Sequence, residues 1–271
     1  MVALGSLAVV IVAAIVTVRA LRVDTHGAQV VHFTIASTLL HRSMSVAAVI
    51  PAGASNRPRP LLVFLHGRSG NQDSELGDDQ LYSSLAGLDS RAPDIVFPDG
   101  GDHSYWHDRA DGAWGSYVVS EVIPQAVSRL HADPSRIAIG GISMGAFGAL
   151  DIARLNPGRF CAAGAHSGAL WVNGGYSAAG AFDDAQDFAN HDVIAAAGGA
   201  NSFSGTAIWV DVGTQDPFRA ADTTFAETLR SHGHAVQFHV WPGSHGNGYW
   251  QSHWHDYLGF YATALEDCHH V

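Results

Sequence analysis

The chain has 271 residues, with 14 Lys and Arg against 25 Asp and Glu, and a formal net charge of -11 with histidine neutral. That balance leaves no basic footprint for nucleic acid, and it favours solubility while disfavouring anionic ligands. Two cysteines, Cys161 and Cys268, are too few for a disulfide scaffold.

The first element is an apolar run over residues 2–18, broken by Gly5, Ser6 and Thr17 and followed by Arg19 and Arg22. It is short for a spanning helix and slightly long for a signal h-region. No basic segment precedes it, no A-x-A site closes it, and the trailing arginines favour a cytoplasmic side. We read residues 1–22 as a hydrophobic targeting or anchor segment, with membrane association through residues 2–18 and an exported or membrane-anchored, extracytoplasmic protein. Residues 23–271 read as a single domain.

Strand-like runs follow at 30–35, 44–50, 61–65, 94–97, 136–140, 160–164, 207–212 and 236–241. Helix-like runs lie at 117–131, 146–155, 223–231 and 250–265. Strand alternating with helix predicts an α/β fold whose mostly parallel central sheet is covered by helices on both faces. The first two strands leave no room for a helix between them, which predicts an antiparallel hairpin at an N-terminal edge. Cys161 falls in a strand and reads as a buried thiol, and a bond to Cys268 requires the C-terminal tail to fold back. Residues 174–201, rich in Gly, Ala and Asp, read as an insertion that is either a pocket wall or a plain surface excursion.

Gly141-Ile142-Ser143-Met144-Gly145 is a G-x-S-x-G pentapeptide between a strand and a helix, the context of a nucleophile elbow. A serine hydroxyl needs a base, and the base needs an acid to hold its tautomer. In an elbow the acid and then the histidine follow the serine along the chain. Asp216 lies in the turn just beyond the strand 207–212, at the sheet edge where loops build sites. Asp211 lies inside that strand and reads as structural. Among 17 histidines, His245 is on the glycine-rich loop after the next strand, the place of the third member. His239 reads as packed or solvated, and His232, His234, His253 and His255 as solvated. An oxyanion needs two aimed donors: the Met144 N–H, and the Arg68 N–H in the loop after strand 61–65, with Gly67 as the alternative. His66 reads as a loop-orienting residue.

The segments 61–70 (LLVFLHGRSG), 98–106 (PDGGDHSYW), 133–150 (DPSRIAIGGISMGAFGAL), 213–218 (GTQDPF) and 243–250 (GSHGNGYW) resemble the esterase D-like branch of the α/β-hydrolases. That branch includes S-formylglutathione hydrolases, feruloyl and acetylxylan esterases, and mycobacterial mycolyltransferases. The resemblance implies an α/β-hydrolase fold, Ser143, Asp216 and His245 as a triad, and Met144 and Arg68 at the oxyanion. Ala146 departs from it, since many relatives have glycine there. It implies a serine carboxylic-ester hydrolase working through an acyl-enzyme on Ser143. The alternatives are an acyltransferase using the same acyl-enzyme, or a non-catalytic carbohydrate-binding member. Gly67, Trp106, Trp114, Tyr249 and Trp250 flank the proposed loops and are candidates for contacting a small-molecule or glycan ester. Asp102-His103, Trp106-His107-Asp108 and His253 with His255 form no recognised metal spacing, so the sequence predicts no metal and no cofactor.

Overall fold

Alternation of apolar side chains along the strands gives this sheet two buried faces. In β3 (Leu61–Leu65) every residue is buried. Leu61, Val63 and Leu65 join one core cluster, and Leu62 and Phe64 join the other. The computed structural model describes residues 23–53, 57–199 and 201–268. The other main strands are β1 (Gln29–Ser37), β2 (Arg42–Ile50), β4 (Asp94–Pro98), β7 (Ile137–Ser143), β8 (Ala162–Gly168), β9 (Ala207–Gly213) and β10 (Val236–Trp241). Two short strands, β5 (Asp108–Arg109) and β6 (Gly112–Ala113), form a separate ribbon.

The eight-stranded sheet runs β1-β2-β4-β3-β7-β8-β9-β10. β1 pairs antiparallel with β2, and β2 with β4. All remaining pairs are parallel. The hairpin therefore closes one edge, and the C-terminal ends of the parallel strands share one rim, where sites form in open α/β sheets.

One face is covered by α2 (Trp114–Tyr117), α3 (Ile123–Leu130), α4 (Met144–Leu155) and α7 (Arg219–Ser231). The other carries α1 (Asp79–Ala86), α8 (Asn247–Ser252) and α9 (Trp254–Glu266). Two short helices, α5 (Ala185–Asn190) and α6 (Val193–Ala196), lie in the insertion. The helix expected over 117–131 starts earlier and contains a π turn at Val118–Val122. Pro124 follows directly on that turn, inside the continuous helical run, where it cannot supply an N–H to the turn before it. The helix expected over 250–265 is broken at His253, which caps α8 and precedes α9. α1 was not legible; its Asp78 cap accepts from the Gln80 N–H at 2.9 Å and from Trp254 Nε1 at 2.8 Å.

A polar network is buried under α9. Asp211 accepts from His166 Nδ1 (2.7 Å), Trp209 Nε1 (2.7 Å), Tyr249 Oη (2.8 Å) and Tyr257 Oη (3.0 Å). The Tyr261 hydroxyl donates to His166 Nε2 at 2.9 Å. That hydroxyl fits because its sheet neighbours are Gly140 and Gly164: a Cβ on either would lie within 1.7 and 1.9 Å of it.

Among the described residues no helix is long and apolar enough to cross a membrane. The apolar run 2–18 lies outside the described residues. Cys161 is not a free thiol as expected. It is bonded to Cys268 with their Cα atoms 5.4 Å apart, across 107 residues of sequence, because α9 returns the tail to the start of β8. Closing so long a loop restricts the unfolded chain. Replacing both cysteines by serine is expected to lower stability by about 2–5 kcal/mol, read as the shift of the urea midpoint. An unchanged midpoint would show that the bond contributes nothing.

Candidate active site

β7 runs straight into Ser143, which turns sharply into α4 with φ 53° and ψ -115°. The turn is tight because α4 starts almost in contact with β3. A Cβ on Gly145 would lie 2.0 Å from the Leu65 carbonyl oxygen, and one on Gly141 2.5 Å from the same atom. No side chain fits at either position. Ser143 is half-buried, and its Oγ donates to His245 Nε2 at 2.8 Å. His245 Nδ1 in turn donates to Asp216 Oδ2 at 2.9 Å.

Asp216 comes from the turn after β9 and is 6% exposed. Burial by itself would raise its pKa. Hydrogen bonds from His245, the Ser167 hydroxyl and the Phe218 N–H (2.8 Å) outweigh that and hold the carboxyl below its usual range. Asp211, the competing carboxylate, lies on the α9 face in the network above and does not reach His245. The His245 ring packs against Phe218 and Trp250, each with its ring centroid 5.1 Å away.

Met144 opens the 12-residue α4, so its N–H belongs to the first turn, whose donors have no acceptor within the helix. The loop after β3 crosses above the serine: a Cβ on Gly67 would be 3.4 Å from Ser143 Cβ. His66 fixes that loop. Its Nδ1 donates to the Gly67 carbonyl at 2.8 Å, and its Nε2 accepts the Gly100 N–H at 2.9 Å. Arg68 follows on the exposed turn, with its guanidinium beside the Tyr105 hydroxyl.

The expected aromatic contacts need correction. Trp106 is fully buried; its Nε1 donates to the His66 carbonyl at 3.2 Å, and its ring fills the space beside Gly100 and Gly148. Trp114 is 3% exposed, with Arg42 over its ring and Asp111 on its Nε1. Tyr249 is 5% exposed and belongs to the Asp211 network. These faces are taken up by protein. Of the aromatic candidates only Trp250 borders the His245 ring. Phe218 also borders it, with Trp171 next in line at 5.7 Å between ring centroids.

Two residues escaped the sequence reading. Ser167, at the C-terminal end of β8, takes φ 54° to reach Asp216; its position on the rim is the signal that could have found it. Asp222, on α7, is fully buried, and neither carboxyl oxygen makes a hydrogen bond of normal geometry. Burial, followed by the charges of Asp216 and Asp211, pushes its pKa well above the usual carboxylate range.

The Esterase family model matches residues 37–261. Esterase Rv1288 of Mycobacterium tuberculosis is 32% identical over 123 residues, which are 42% of this chain and only 26% of that protein. The structure of a ferulic acid esterase superposes with a TM-score of 0.76 at 21% identity, covering 88% of this chain and 98% of that one. An S-formylglutathione hydrolase from Agrobacterium tumefaciens gives 0.75 at 20% identity, over 88% and 96%. At such identities the two structures bear on the fold.

Asp222 sets a pH dependence of stability. The native state keeps a proton that the unfolded chain releases near pH 4, so stability falls as pH rises from there towards the raised folded pKa. Asp222→Asn is expected to remove this slope, so that its melting temperature exceeds that of the wild type by a margin that grows as pH rises above about 4 and levels off once the native state has lost the proton. A margin independent of pH would contradict a protonated Asp222.

Proposed function

The chain belongs to the Esterase family, and from that premise we propose that it is a serine carboxylic-ester hydrolase working through an acyl-enzyme on Ser143. The observation that carries this reading is the unbroken hydrogen-bonded chain from Ser143 Oγ through His245 to Asp216, set on a strained elbow. His245 Nε2 takes the hydroxyl proton as Oγ attacks the acyl carbon, while Asp216 keeps the proton of His245 on Nδ1 and stabilises the imidazolium. The negative charge forming on the carbonyl oxygen faces the Met144 N–H and the backbone of Gly67 and Arg68. Losing one such donor typically costs ~10²- to 10³-fold. His245 then gives its proton to the leaving alcohol, and water, activated by the same imidazole, releases the acid and restores Ser143. Phe218 and Trp250 pack against the ring of His245. Of the rings near His245, Trp250 and Trp171 are buried and Phe218 is half-buried, so Phe218 offers the aromatic face along which an acyl or aryl group would lie. The bond between Cys161 and Cys268 supports an extracytoplasmic location, since reducing compartments rarely retain disulfides.

A panel of p-nitrophenyl esters of increasing chain length, with glycerol or trehalose as competing acceptor, tests the reaction. Hydrolysis is expected to dominate; acyl transfer to the added alcohol would favour the acyltransferase alternative. Ser143→Ala is expected to abolish both turnover and labelling by a fluorophosphonate probe with the melting temperature unchanged, and labelling that persists would sink the assignment. Asp216→Asn should lower the rate by around 10⁴-fold through loss of the correct histidine tautomer. Asp211→Asn should lower stability more than rate, because it disturbs four buried donors.

His245 must be neutral to accept the serine proton. kcat/KM is therefore expected to rise with pH through a single ionisation and then level off. His245→Ala should remove nearly all activity, while His66→Ala, His239→Ala and His253→Ala retain far more. Full activity in His245→Ala would identify another base.

A further inference from the structure

A second group of chemically capable side chains lies away from the serine. Among the described residues, His107, Asp187 and His191 bring one ligand atom each to within 4.8 Å of one another. They come from separate parts of the chain. His107 is on the loop that leaves Trp106. Asp187 is on α5, and His191 caps its C-terminus, four residues on and therefore on the same face.

We propose that His107, Asp187 and His191 bind one divalent transition-metal ion of the zinc class, which fastens the insertion helix α5 to the helix α4 that starts at Ser143.

The spacing fits. Zinc bound tetrahedrally through two imidazoles and a carboxylate, with bonds of about 2.0–2.2 Å, places its ligand atoms roughly 3.3 Å apart. Here His107 Nε2 is hydrogen-bonded to Asp187 Oδ2 at 3.1 Å and His191 Nε2 lies 3.7 Å from the other oxygen, Oδ1, so an ion entering the cluster replaces the His107–Asp187 hydrogen bond. Two nitrogen ligands and one oxygen ligand select zinc and its neighbours over calcium or magnesium.

The surroundings of His191 and Asp187 match those of metal ligands. A ligating histidine usually donates its other N–H to a carboxylate, which fixes the ring. His191 Nδ1 donates to Asp151 Oδ2 at 2.7 Å, and Asp151 has a side-chain exposure of 1%. Arg154 holds the second oxygen of Asp151 through Nε at 2.8 Å and also donates to the Asn190 carbonyl at 2.6 Å. Asp151 and Arg154 are on α4, so the carboxylate that aims His191 belongs to the helix of the serine. Asp187 is aimed in its turn by the Asp183 N–H, which donates to its Oδ2 at 2.8 Å. His107 has no side-chain exposure. Its Nδ1 is buried without a partner, which leaves a buried imidazole held at one nitrogen only. A cavity of about 300 Å³ bordered by Ser116, Ser120, Asp151, Asn156 and His191 offers an entry path and room for a water as fourth ligand.

The test uses the full chain freed of metal with a chelator, then titrated with zinc chloride by calorimetry and with cobalt chloride by visible absorption. One equivalent of zinc is expected to bind. The cobalt form should show the intense visible bands of a four-coordinate ion. At free zinc a hundredfold above Kd the melting temperature should rise by about 5–10 °C. His191→Gln and Asp187→Asn should each weaken zinc binding roughly 100-fold while leaving the melting temperature of the metal-free protein within a degree or two. Asp151→Asn, which keeps its shape, should weaken it about 10- to 100-fold. Absence of binding at micromolar zinc, or binding that all three variants leave unchanged, would overturn the proposal and assign any bound ion to surface histidines.

Discussion

The contact on which the site depends is the approach of α4 to the end of β3. The Leu65 carbonyl oxygen lies where a side chain of Gly145 would begin, and Gly141 is confined by the same atom. With the helix that close, its first turn opens directly beneath the loop that follows β3. Gly67 then comes into contact with Ser143, and the His66 carbonyl comes within reach of the Trp106 indole. Trp106 in turn needs Gly148 on α4 and Gly100 after β4 to make room for its ring. The positions of Ser143, of the Met144 N–H and of the loop after β3 thus follow from one backbone contact. The strain gathers around it. Ser69, Tyr105, Trp106, Ser143 and Ser167 all take positive φ, at about 1–3 kcal/mol each. Burial of Tyr105 and Trp106 in the core is what offsets such costs.

Three acidic residues on or just after β9 and α7 are treated differently, and the contrast explains where the useful charge resides. Asp211 has four donors and is sealed under the sheet. Asp216 has three and faces His245. Asp222 has none of normal geometry and lies near both. A buried carboxyl without donors holds its proton. Burial and the neighbouring charges raise the pKa of Asp222, which disfavours a third negative charge beside Asp216, whose own charge is favoured by its hydrogen bonds. The Asp211 network also shows why a buried carboxylate within the strand is no substitute for one on the rim. It points to the opposite face from α7 and has its lone pairs fully engaged.

Strand positions were legible because their apolar alternation is strong. Leu61–Leu65 and Val236–Trp241 have the expected bounds, and the remaining strands shift at their ends by a few residues. Ser143, Asp216 and His245 were legible from chain order and from loops that follow strands, and the structure brings the three within hydrogen-bonding distance. What could not be read depends on packing between distant segments. Ser167 acts through a backbone conformation, and nothing in its neighbours announces that. Trp106, Trp114 and Tyr249 looked like rim residues because they flank the loops, yet aromatic rings beside glycine are as well suited to fill the gaps that glycine leaves. The pairing of Cys161 and Cys268 depended on where α9 ends, which periodicity does not fix.

The two long-range fastenings of the chain act in different places, one at the start of β8 and the other between α5 and α4. Cys161 precedes β8, so its bond to Cys268 secures the end of α9 at the edge remote from the serine. The Asp151, Arg154 and His191 contacts secure α5 against α4 on the flank of the site. Constraint at the remote edge limits global unfolding without touching the loops of the rim. Constraint at α5 acts on those loops themselves, because Phe182, just before α5, packs on Phe147, Tyr105 and Trp171. Phe147 lies one helical turn from Ser143, and Trp171 leads through Phe218 to His245. Packed rings thus connect the segment before α5 with Phe218 beside His245, whereas the disulfide lies at the start of β8.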